Sequence, residues 1–176
     1  MLVSFGFSTV AVVMGDLLFL DPDPLAGQEG PERGVRLELR RINHSADRGT
    51  IYASRPITID EPLWRVDLLE SATGPVGTFD RTHHHMVDGW EVSDRIFDPE
   101  LSADPVAWVR TALSSLQDGV LASTEPQLDP AELASIAAEA PAICDQLERL
   151  LAAVGAGDLA PLPEGPLEPP VRAGWL

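Results

Sequence analysis

The segment Thr78–Met86 reads TFDRTHHHM and holds three of the chain's four histidines. Alternate residues of a strand share a face, so Phe79, Arg81, His83 and His85 fall together and Asp80, Thr82, His84 and Met86 oppose them. An ordinary core strand has one apolar face. This one is polar on both, as at an exposed edge or on the wall of a polar cavity. Imidazoles two residues apart start about 7 Å apart at the backbone and can converge on one ion. Neutral imidazole suits Zn, Fe, Ni or Cu, and two His with one carboxylate make an open ligand set for Fe(II) or catalytic Zn. His83 and His85 are therefore expected to hold a divalent transition metal, Zn or Fe, with a third ligand from Glu91, Asp88, Glu70 or His44. The same residues offer a metal-free chemistry. His83 and His85 would act as acid and base, with Arg81 holding a phosphate or carboxylate, the equipment of a phosphoester hydrolase. The bland reading is a solvated edge strand on which Asp80 and Arg81 pair.

Gly77, five residues, His83-x-His85 and then Glu91 resemble the first motif of the cupin family. That motif runs Gly, five residues, His-x-His, three or four residues, Glu, six residues, Gly. Here Glu91 follows after five residues, Asp98 stands where the last Gly falls, and no His follows His85. The resemblance implies His83, His85 and Glu91 as metal ligands. In composition, with abundant Arg, Ala, Pro and Gly and no Lys, the chain looks like small acidic proteins of high-GC actinobacteria.

The elements that must position this strand divide at its end. Before it the patterns are those of strands. Thr9–Val13 and Leu17–Leu20 read as a hairpin around Met14-Gly15-Asp16. Val35–Arg40 alternates apolar and charged residues, the mark of a half-buried strand. Asn43–Gly49 reads as a turn. Ile51, Ala53, Ile57 and Ile59 share one parity and Trp64, Val66 and Leu68 another, which predicts two further strands, with Pro56 marking an edge or bulge. Arg65 and Asp67 form a same-face charge pair on the last of these. After the histidines the signals are helical. Asp104-Pro105 and Asp129-Pro130-Ala131-Glu132 are N-caps followed by Pro at the first helical position. Pro141 must kink the second helix or begin another, and Gly155 ends the apolar stripe. The expected fold is α+β: an antiparallel meander or partial barrel of five or six strands, packed by two or three C-terminal helices. Residues 1–157 would form one domain and 158–176 a Pro-rich tail.

The 176 residues carry 28 acidic and 12 basic side chains, a formal charge of −16, and the excess lies mostly after residue 85. That charge repels polyanions, so nucleic acid is not the expected partner; a small-molecule ligand or a protein partner is. The acidic helical half supplies the competing function, a non-catalytic interaction module of antitoxin-like kind. Cys144 stands alone, so no intramolecular disulfide forms, and it reads as a buried structural thiol. Gly15-Asp16 interrupts the apolar N-terminal run short of a membrane span, and no Lys or Arg precedes Arg33. A cytoplasmic protein is the expectation. Metal binding and interaction predict different losses, from His83 and His85 in one case and from the helix surface in the other.

Overall fold

The structure, a computed structural model, describes residues 1–44, 55–125, 127–157 and, for the backbone, 171–174. Six antiparallel strands follow one another in sequence order: β1 (Leu2–Gly6), β2 (Val10–Leu20), β3 (Pro31–His44), β4 (Ile57–Ser71), β5 (His83–Asp88) and β6 (Glu91–Val92). Helices α1 (Pro99–Ala103), α2 (Pro105–Ser114) and α3 (Pro130–Gly155) come next, and β7 (Val171–Gly174) returns to pair with Leu17–Leu20 of β2. The sheet is not closed. It is the expected α+β meander.

Two faces of the long central strands have opposite characters. Register aligns Val12, Leu39 and Trp64 in one row and Met14, Leu37 and Val66 in the next. These side chains are fully buried and pack with Leu101, Val109, Leu113, Ile136, Ile143, Cys144 and Leu147 from the helices into one core. The intervening residues of β3 and β4 are Arg36, Glu38, Arg40, Arg65 and Asp67, so the opposite face is charged over the same length.

The elements differ from expectation at four places. β2 runs without a turn through Met14-Gly15-Asp16, and its hairpin partner is β1, which precedes it. The stretches around Ile57 and Trp64 are one strand; the irregularity lies near Pro62, where the pairing with β3 shifts between Leu39 and Ile42. The histidine strand starts at His83, because Thr78–Thr82 forms a turn with Phe79 in the left-handed region. Helix α3 passes through Pro141 uninterrupted. Pro141 lies on the exposed side, where the break in hydrogen bonding opens toward water. The expected turn at 43–49 ends in β3 at His44, and its remainder lies outside the described residues, as do Ile51 and Ala53. Among the described residues no helix is long and apolar enough to cross a membrane.

A buried carboxylate ties α3 to the sheet. Glu132, at the third position of the helix, accepts from Thr9 N–H at 2.5 Å, the Thr9 hydroxyl at 2.5 Å and Val10 N–H at 3.3 Å. Glu132→Ala leaves those donors without their acceptor beneath the helix. The expected cost is about 2–3 kcal/mol, read as a lowered urea midpoint. A midpoint equal to that of the wild type would contradict this role.

Candidate metal centre

The charged face becomes a site where β5 joins it. Register places His83 beside Asp67 and Asp67 beside Arg36; one step along, His85 lies beside Arg65 and Arg65 beside Glu38. Two cross-strand rows of polar side chains thus lie next to each other. The alternation read from sequence holds for the histidines themselves. His83 and His85 share this face, while the His84 ring turns to the helical side, 5.3 Å from the Trp108 ring.

Asp67 is the centre of the arrangement. Its side chain is 2% exposed, and Arg36 grips it through two hydrogen bonds, Nε to Oδ1 at 2.6 Å and a terminal nitrogen to Oδ2 at 3.0 Å. Burial alone would raise this carboxyl's pKa. The Arg36 charge and its two hydrogen bonds outweigh burial and hold it well below the usual carboxylate value, so Asp67 is an anion.

The imidazoles are oriented by the backbone. His83 Nδ1 donates to the Arg81 carbonyl at 2.7 Å, and His85 Nδ1 donates to the Ser93 carbonyl at 2.7 Å. A neutral ring with its proton fixed on Nδ1 presents a lone pair at Nε2. The two Nε2 atoms lie 3.5 and 3.7 Å from Asp67 Oδ2, too far for hydrogen bonds. Burial lowers the His83 pKa to about 4, aided by the Arg95 charge and opposed by Asp67 and the Arg81 carbonyl, so the ring is neutral near pH 7.

Asp67, His83 and His85 therefore turn electron-pair donors toward one point, with all three atoms within 4.8 Å of one another and all three residues buried. The group could hold a metal ion. A tetrahedral ion about 2.1 Å from each of two ligand atoms sets those atoms about 3.4 Å apart, close to the two Asp67–imidazole separations. Tying the second ring nitrogen to a carbonyl is the usual way a protein orients a histidine ligand.

The group opens on a cavity of about 180 Å³, lined also by Phe19, Asp21, Leu69, Arg36, Arg65 and Arg95. Segment 93–97 runs alongside β5, exchanging backbone hydrogen bonds between Ile96 and His84. From it Arg95 reaches Glu32 at 3.1 Å and Asp21, and Phe97 packs 5.7 Å from the His83 ring.

The other residues singled out from sequence lie elsewhere. The Arg81 guanidinium binds the Gly27 carbonyl at 2.8 Å and lies 3.7 Å from Asp80, so this residue serves the site through its own carbonyl. Glu91 and Asp88 are exposed and line a separate cleft of about 620 Å³ with Arg41, Glu61 and Glu125. Glu70 accepts from Arg33 and from the amides of Gly77 and Thr78. His44 is exposed and donates from Nε2 to the Ser8 carbonyl. The carboxylate beside the imidazoles is Asp67, known from sequence only as a neighbour of Arg65. Each of the two pairs across strands instead, Arg65 with Glu38 and Asp67 with Arg36.

No protein-family model, curated protein or solved structure matches the chain.

The site makes stability pH-dependent in the metal-free protein. Folded His83 titrates near 4 and unfolded His near 6.5. Between those values the unfolded chain binds the extra proton, so stability falls as pH falls, by up to about 3 kcal/mol for this ring. Asp67, held low when folded, adds a further loss below its unfolded value of 3.8. Urea midpoints of EDTA-treated protein should drop steadily from pH 7 to 4.5, and His83→Gln should flatten the profile. A flat wild-type profile would contradict burial of a neutral ring.

Proposed function

We propose that the chain binds one divalent transition metal ion, Zn or Fe(II), through Asp67, His83 and His85 and uses it in chemistry on a small molecule. The observation that carries this reading is the fixed orientation of the two rings. With both Nδ1 protons committed to backbone carbonyls, two lone pairs face an anionic carboxylate in a buried space. Three such donors repel one another unless a cation stands among them. Two nitrogens and one oxygen suit Zn or Fe(II) and leave further coordination positions for a ligand. A bound ion there supplies Lewis acidity toward a carbonyl or phosphoryl oxygen.

The chain's own groups have defined parts. Arg36 keeps Asp67 ionised and fixes its rotamer. The carbonyls of Arg81 and Ser93 hold the rings in one tautomer. Arg95, tied to Asp21 and Glu32, holds segment 93–97 beside the site.

Elemental analysis by mass spectrometry of protein made without an affinity tag tests the reading. Close to one equivalent of zinc or iron per chain is expected, falling to background in the His83→Ala/His85→Ala variant with its far-ultraviolet circular dichroism unchanged. Wild-type protein that stays metal-free after incubation with either ion would refute it.

A further inference from the structure

Arg65 differs from the other guanidiniums around the cavity. Arg36 spends Nε and one terminal nitrogen on Asp67, and Arg95 spends both terminal nitrogens on Gln28, Glu32 and Asp21. Arg65 is fastened by Nε alone, which donates to Glu38 Oε1 at 2.7 Å. Its two terminal nitrogens make no hydrogen bond among the described residues, and its side chain is 19% exposed on the cavity wall. Glu38 is 1% exposed and also binds Arg40, so the anchor is rigid. Arg65 stands two residues from Asp67 on the same face and directly across from His85. That places its backbone about 7 Å from the carboxylate's, a span one small molecule bridges.

The charge around the cavity does not follow that of the chain. The protein carries −16 overall, yet here Arg36, Arg40, Arg65 and Arg95 are matched by Asp67, Glu38, Asp21 and Glu32. A divalent ion on Asp67, His83 and His85 would tip this balanced surface to net positive, which attracts anions. The cavity, about 180 Å³, gives room to a small anion such as oxalate or phosphate, and Phe19 and Leu69 offer a short apolar wall to a carbon skeleton.

We infer that the site takes a small oxyanion, a short dicarboxylate or a phosphate, with one end on the metal and a second oxygen pair on the planar fork of Arg65. The inference rests on the metal-site reading and names the ligand class for it. Guanidinium binds such groups in paired hydrogen bonds. Arg65 is a ligand-binding residue here, and the metal ligands are complete without it.

Cobalt(II)-substituted protein separates the two claims, because its visible spectrum reports metal uptake first and anion binding second. Wild-type protein should take up one equivalent of cobalt, and its bands should shift saturably with oxalate or inorganic phosphate. The tighter of the two identifies dicarboxylate or phosphate as the source. Arg65→Gln should keep the cobalt stoichiometry and the anion-free spectrum while weakening that anion ten-fold or more. If Arg65→Gln fails to fold, Arg65→Lys keeps a cation opposite Glu38 and removes the fork, and the same weakening is expected. Cobalt uptake with no anion response, or anion affinity unchanged in the variant, overturns the inference and leaves the metal site standing. No cobalt uptake by wild-type protein overturns both.

Discussion

A carboxylate without water around it needs positive charge within reach. Asp67 is buried in the middle of a seven-stranded sheet, and Arg36 meets that need from one side only. On its other side lie the Nε2 atoms of His83 and His85, the first on a ring that burial keeps neutral. Everything distinctive about the molecule follows from keeping these groups together. Breaking such a buried pair by removing one partner costs about 3–5 kcal/mol, so the fold must hold Arg36 and Asp67 on adjacent strands. Two uninterrupted strands of 14 and 15 residues do so.

The sheet solves this by giving each face one task. Its apolar face is covered by α2 and α3 and supplies the stability. Its charged face carries the guanidinium–carboxylate pairs, with Arg36, Arg40, Arg65 and Arg95 set against Asp67, Glu38, Glu32 and Asp21. Because those charges balance locally, the imidazoles and a small cavity can be placed among them without a large unpaired field. Burial raises Glu32 and lowers His83, the same penalty on charge acting on an acid and a base. The segment from Trp90 to Phe97 runs beside the site. The Arg40 guanidinium lies 5.5 Å over the Trp90 ring, and the Ser93 carbonyl fixes His85. The loop beside the site thus also orients a ring, which couples site geometry to loop position.

Part of this was legible in the residues. Period-two alternation set His83 and His85 on one side and His84 on the other, and the switch from strand to helix patterning set the fold class. The capping residues Asp104 and Asp129 marked helix starts that the structure keeps. What alternation along one strand cannot convey is register between strands. Asp67 lies sixteen residues before His83, and only pairing of β4 with β5 makes them neighbours. The resemblance to a cupin motif pointed to Glu91, which is near His85 in sequence and sits in another cleft. A usable signal did exist. Arg36, Glu38 and Arg40 on one strand and Arg65 and Asp67 on the next put charge at the parity opposite the apolar one, on strands long enough to be central. Charge of both signs there requires cross-strand partners, and a polar third strand is the natural neighbour.

The central claim is that one cation belongs between Asp67 Oδ2 and the two Nε2 atoms. Anomalous diffraction at the zinc edge from crystals of zinc-loaded protein tests it directly. The account predicts a single strong peak about 2.1 Å from each of those three atoms, with both Nδ1 atoms still on the carbonyls of Arg81 and Ser93. A peak in the Glu61–Asp88–Glu91 cleft instead, or rings turned so that Nε2 faces away from Asp67, would contradict it.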